Sequence, residues 1–142
     1  MIDCSDLIGV KFEYGGRDPA VSLDCYGLLM ELYRRAFNFE LPDYGSRTTA
    51  RDISRHMRSK LHEWEPVDEL EPGTVLFMRL GPFTHVAMYL GDDEFIHTSE
   101  VTGGVCTERL SLWVNRIEGL YRYAALNPAN HPICDHQEPA CS

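Results

Sequence analysis

Near residue 71 the apolar residues of this chain stop recurring at helical spacing and begin to fill consecutive or alternate positions, and few folds accommodate that order of events. Upstream, Leu28, Leu29, Leu32, Tyr33, Ala36 and Phe37 mark one inward stripe. Ser22 or Asp24 can cap its start, and "LPDYG" ends it. A second helix is expected from about Thr49 to His62, where Ile53, Met57 and Leu61 repeat every four residues. Downstream, Val75, Leu76, Phe77 and Met78 fill both faces as a central strand would. "THVAMYL" (84–90) and "EFIHT" (94–98) read as the arms of a hairpin, with further short strands near Val105 and across 117–125. Helices first and strands afterwards predict an α+β fold, N-terminal helices packed on a small antiparallel sheet.

A chain of 142 residues is enough for one domain with its own core. The expected division is a domain over 1–126 and a polar tail over 127–142. A net charge of -9 argues against a nucleic-acid partner, because no global positive field is present to displace counterions from phosphates. "MIDCSDLIGVKFEYGG" lacks the basic start, apolar stretch and cleavage site of a signal peptide, and no run of about 18 apolar residues occurs. The expectation is synthesis in the cytoplasm without a signal peptide, and no membrane insertion. Five cysteines in such a chain do not suggest a disulfide framework. His131, Cys134, His136 and Cys141 crowd the end, but their spacing does not match paired tetrahedral ligands, so no metal and no cofactor is expected.

Cys25 stands in the first turn of the first helix, where the helix N-terminus favours a thiolate. It needs an imidazole partner, and His85 and His97 lie in the two arms of one hairpin. If Gly91-Asp92-Asp93 is a three-residue loop, Leu90 pairs with Glu94 and Ala87 with His97, which puts both histidines on one face, one diagonal step apart. A two-residue turn would send His97 to the opposite face. In the favourable register the helix packs on that face with Cys25 opposite His85. His85 then serves as base, His97 fixes its tautomer, and backbone N–H groups at the helix start hold the oxyanion. Each residue alone has a plainer role, Cys25 as core filling and the histidines as hydrogen-bonded strand residues. Arg47, Arg51, Arg55 and Arg58 form a stripe on the second helix, either a solvated face or a strip for anionic groups.

"YGG" at 14–16, "DCYGL" at 24–28, "LEPGTVLF" at 70–77, "HVAMYLGDDEFIHTS" at 85–99 and "GLYRY" at 119–123 resemble the NlpC-type cysteine peptidases, a papain-related family that cuts bacterial cell-wall peptides. The resemblance covers about residues 7 to 124. It implies a papain-like fold in which Cys25 is the nucleophile, His85 the base and His97 the residue that orients it. The implied reaction is hydrolysis of an amide in a peptidoglycan stem peptide, often the γ-D-glutamyl to diaminopimelate bond. "DCYGL", with Tyr26 after the cysteine, is similar to the branch carried by phage tails and gene-transfer particles, which implies assembly into a tail and tail-tip proteins as partners. The alternatives are an idle tail-tip docking subunit, or an amidase or acyltransferase using the same Cys-His site. Phe12 stands where relatives often carry a tyrosine whose hydroxyl reaches the nucleophile, and Tyr14 or Tyr26 are the candidate substitutes. Arg47 or Arg51 could hold a stem-peptide carboxylate.

Overall fold

A computed structural model of the protein describes residues 2–45 and 49–127. Arg47 and the cysteines and histidines of the C-terminal segment lie outside the described residues. Three two-residue strands, β1 (Lys11–Phe12), β2 (Arg17–Asp18) and β3 (Ser22–Leu23), lead into helix α1 (Cys25–Phe37). Helix α2 (Ala50–Ser59) follows, and then the strands β4 (Trp64–Pro66), β5 (Val75–Leu80), β6 (Phe83–Gly91), β7 (Glu94–His97), β8 (Cys106–Arg109) and β9 (Ile117–Tyr123). The last six form one antiparallel sheet in the order β4-β9-β5-β6-β7-β8. The α+β expectation holds, with small additions. The three short strands and β4 are too brief to show a period in sequence.

Both faces of the central strands are buried, which is why "VLFM" reads as continuous apolar sequence. One face packs Val75, Phe77, Val86, Met88 and Ile96 with Leu28, Leu29, Leu32 and Tyr33 of α1. The other packs Leu76, Met78, Ala87 and Phe95 with Ile117 and Leu120 of β9 and with Leu110 and Trp113 from the segment between β8 and β9. Helix α2 is tied down beside β6 by Ser54, whose buried Oγ accepts from the backbone N–H of Thr84 at 2.9 Å. That bond fixes the strand one residue before His85.

The start of α1 is set by Asp24 rather than Ser22, which lies in β3. Asp24 is fully buried and accepts from Gly27 N at 2.7 Å, Gly15 N at 2.9 Å and Arg17 Nη1 at 2.8 Å. One carboxylate thus caps the helix and pins the "YGGR" segment against it. The approach is close. A Cβ on Gly27 would come within 2.1 Å of the Gly16 carbonyl, so the glycine of "DCYGL" is a packing requirement. Asp24→Ala removes the cap and leaves the partly buried Arg17 guanidinium short of its partner. The expected cost is about 3 kcal/mol, read from urea unfolding, with Asp24→Asn costing less because it keeps the capping oxygen.

Candidate active site

The turn between β6 and β7 decides whether two histidines can meet. It is a two-residue turn: Gly91 pairs with Glu94, and Asp92 and Asp93 take φ of 53° and 65°, the left-handed pair of a type I′ hairpin. By itself that register would separate the histidines. Between Tyr89 and Gly91, however, the register shifts, and beyond the shift Tyr89 pairs with Phe95 and Met88 with Ile96. Leu90 is therefore the extra residue of a β-bulge, and the bulge restores the alternation that a three-residue loop would have given. His85 and His97 share a face. Their rings meet, with His85 Nε2 2.9 Å from His97 Nδ1.

That face is not the one expected. Val86, Met88 and Ile96 point to α1, so by strand alternation His85 and His97 lie on the other side, where the His97 ring packs on Phe95 and Trp113. Cys25, on the α1 side, and His85, on the other, come together as walls of one cavity rather than across a helix–sheet interface. Strand β7 ends at His97, whereas β6 extends to Phe83, so the first residues of β6 run past their neighbour. Near that opening the backbone amide of Val86, the residue next to His85, favours the thiolate form of Cys25. Cys25 and His85 line one cavity of about 330 Å³, together with Phe12, Tyr14, Ile53 and Glu100. A larger hollow of about 640 Å³, walled by Tyr33, Asp68, Glu71 and Tyr121, has no cysteine or histidine in its lining.

A further member was not foreseen. His97 Nε2 lies 2.7 Å from Oε2 of Glu108, whose other oxygen accepts from the indole N–H of Trp113 at 3.0 Å. The register of β8 brings it there: Cys106 pairs with His97, and Glu108 lies two residues on along the same face. A strand near Val105 was legible, but nothing in sequence fixed its register, so no carboxylate could be assigned.

The chain of contacts sets the protons. Trp113 Nε1 can only donate and the Glu108 carboxylate can only accept, so His97 carries its proton on Nε2. Its Nδ1 then offers a lone pair and accepts from His85 Nε2–H. His85 is left with a bare Nδ1, the nitrogen not engaged by His97. Glu108, two positions removed from the thiol, fixes which nitrogen of His85 is basic.

Burial keeps the site neutral. It pushes the Cys25 thiol up to about 12, with the nearby Asp24 carboxylate adding to the rise and the Val86 amide and Arg17 opposing it. Burial also pushes His85 down to about 3, the neighbouring His97 adding to the fall. His97 is lowered by burial as well, against the pull of Glu108. The resting pair is thiol and imidazole, and the proton moves only as attack begins. Stability follows the same shifts. An imidazole lowered on folding contributes stability that is present above its ordinary value near 6.5 and lost as the pH falls toward the folded value. Between about pH 6.5 and pH 5 each ring held neutral should cost about 1.4 kcal/mol per pH unit. His85→Gln should reduce that slope by one proton's worth, measured by urea unfolding at several pH values.

The other candidates divide. Tyr14 lines the cavity and keeps its proton, raised to about 12 by burial, Glu100 and the nearby Cys25, but it already donates that proton to Glu100 at 2.8 Å. Tyr26 is corrected. It is buried, stacks on Tyr44 and spends its hydroxyl on the Pro42 carbonyl at 2.7 Å, so it cannot stand in as an oxyanion donor. Arg51, with Arg55 and Arg58, is on the exposed face of α2, while Ala50 and Ile53 of the same helix line the cavity. Phe12 also lines it, edge-on to Tyr14 at 4.9 Å. The N–H of Cys25, in the first turn of α1, is among the donors that a helix leaves without an internal acceptor.

A thiol at a helix N-terminus beside a strand-borne, hydrogen-bonded imidazole defines the papain-like class of cysteine hydrolase sites. The comparison with known proteins agrees: the model of the NlpC/P60 family matches residues 9–121, and the chain belongs to that family. It is 27% identical over 143 residues to the Gamma-DL-glutamyl hydrolase of Bacillus subtilis (strain 168), an alignment spanning 96% of this chain and 32% of that protein. It is 28% identical over 102 residues to the Murein DD-endopeptidase MepS/Murein LD-carboxypeptidase of Escherichia coli (strain K12), spanning 70% of this chain and 47% of that protein. The chain thus spans 32% and 47% of these two relatives' lengths. Among solved structures, the NlpC/p60 domain of the peptidoglycan hydrolase SagA superposes with a TM-score of 0.56 at 21% identity, covering 83% of this chain and 91% of that one. NlpC2 from Trichomonas vaginalis gives 0.59 at 21% identity, covering 84% and 44%. These two likenesses bear on the fold.

Proposed function

We propose that the protein is a cysteine endopeptidase that hydrolyses an amide bond in peptidoglycan stem peptides. The observation that carries this is the hydrogen-bonded row His85, His97, Glu108 ending beside Cys25 at an open cavity. Cys25 Sγ attacks the amide carbonyl while His85 Nδ1 takes the thiol proton. The N–H of Cys25 is placed to stabilise the oxyanion. His85 then gives the proton to the leaving amine. The thioester that remains is hydrolysed by water, with His85 again the base, so thiol and imidazole are regenerated. No metal takes part in these steps.

The bond favoured is γ-D-glutamyl to diaminopimelate: the name of the Bacillus relative, Gamma-DL-glutamyl hydrolase, supports the γ-glutamyl side, and the resemblance of the motifs supports the diaminopimelate side. The resemblance of "DCYGL" to the tail-borne branch supports a setting in a phage-like tail, where local wall opening would accompany entry. Mass spectrometry of purified particles tests the setting.

The activity is tested by incubating the purified chain with defined muropeptides and identifying products by mass. The expected result is a new free amine on diaminopimelate and a D-glutamate γ-carboxyl, insensitive to EDTA. Tight binding to a tail protein without any cleavage would instead support the docking subunit.

A further inference from the structure

We propose that His97, Cys106 and Glu108 form a binding site for a divalent cation of borderline softness, with Zn²⁺ as the type, and that filling it reverses the proton relay and stops hydrolysis. The binding half stands on these three side chains; the inhibitory half rests on the hydrolytic reading above.

Cys106 and His97 are directly paired across β7 and β8, and Glu108 follows Cys106 on the same face. One donor atom from each, a ring nitrogen, Sγ and a carboxylate oxygen, all lie within 4.8 Å of one another, and the ring nitrogen that faces Glu108 is Nε2, since Nδ1 faces His85. Tetrahedral Zn²⁺ with bonds of about 2.0 to 2.3 Å holds its ligand atoms roughly 3.3 to 3.8 Å apart, so the wider separations close by up to about 1 Å while His97 Nε2 and Glu108 Oε2, now 2.7 Å apart, spread to admit the ion. Thiolate, imidazole and carboxylate together favour Zn²⁺ over Mg²⁺ or Ca²⁺. Three protein ligands leave the fourth position to water. His97 is sealed in the core, but Cys106 and Glu108 are partly exposed and give entry from the solvent side. Trp113 already holds the far oxygen of Glu108, the outer support that orients a ligand carboxylate.

The consequence follows from proton count. Coordination takes the Nε2 lone pair of His97, so that ring's one proton must sit on Nδ1. Nδ1–H then donates to His85 Nε2, and the proton of His85 moves to its Nδ1, the nitrogen Cys25 needs bare. Each ring keeps one proton, and Cys106 releases its own to solvent on binding. Cys25 is untouched yet has lost its base.

The test uses the full chain with Cys134→Ser and Cys141→Ser, so that thiols of the tail do not contribute. With Cys25→Ala added, Co²⁺ titration should give one metal per chain and a thiolate-to-metal absorption band. Cys106→Ala and Cys106→Ser should both remove that band. A band that survives Cys106→Ala overturns the site. With Cys25 present, Zn²⁺ should inhibit muropeptide hydrolysis, each rate taken relative to the same chain without metal, and Cys106→Ala should weaken the inhibition by at least about tenfold. Equal inhibition of both chains would place the metal on Cys25 itself and overturn the relay mechanism. If no muropeptide is cut, iodoacetamide alkylation of Cys25 replaces that readout: Zn²⁺ should slow it only where Cys106 is present. The hydrolytic reading would then have failed, while the metal site is judged on its own.

Discussion

Replacing Cys25 by alanine is expected to lower kcat/KM on muropeptides by about 100,000-fold or more, and His85→Ala by a similar factor, with the double variant no worse than either single. The reason is that neither group does anything useful alone. Burial leaves the thiol protonated up to about 12, so without His85 almost no nucleophile exists at neutral pH. Burial likewise leaves His85 a neutral base with nothing to deprotonate once the thiol is gone. Cys25→Ala deletes only a sulfur at a cavity wall, so its unfolding curve should stay close to that of the parent chain, and the loss of rate can be assigned to chemistry. Additive losses in the double variant would mean that the two residues do not act as a unit.

Glu108→Gln is expected to cost about 1,000-fold in kcat with KM little changed, although Glu108 touches neither thiol nor cavity. The amide oxygen of glutamine can still accept from Trp113 Nε1, so the side chain keeps its seat. Its NH₂ then faces His97 Nε2, which must accept rather than donate. The two imidazoles turn over in sequence, and His85 presents N–H to the thiol. Glu108→Asp keeps the sign of the last contact and should recover much of the rate. A rate within about tenfold of the parent for Glu108→Gln would show that the carboxylate does not govern the tautomer. Because Glu108 acts through His97, its role is positioning, and the contrast between Gln and Asp separates that role from simple packing.

Much of this was legible in the sequence, for identifiable reasons. The stripe of α1 and the doubly buried strand β5 are strongly periodic, and Asp24 sits where a cap belongs, so order, type and the place of Cys25 could all be read. The pairing of His85 with His97 was also correct in outcome, but for a different backbone: a tight type I′ turn plus a bulge at Leu90 gives the same alternation as the longer loop. Bulges leave no mark in an apolar pattern. The face was misjudged because strands buried on both sides carry no polar side to orient them, and the helix was therefore set on the side of the histidines. Tyr26 was misread for a similar reason. Its neighbour Cys25 is at the cavity, but one step of 100° around a helix turns the next side chain toward Tyr44 and Pro42. Glu108 could not be reached at all, since its place depends on a register set by two preceding turns.

Heteronuclear NMR of the imidazole nitrogens in the metal-free full chain, assigned with His85→Gln and His97→Gln, bears most directly on the proton relay. At neutral pH both rings should be uncharged and protonated on Nε2, with His85 Nδ1 bare. A proton on His85 Nδ1, or a doubly protonated His85, would contradict the mechanism.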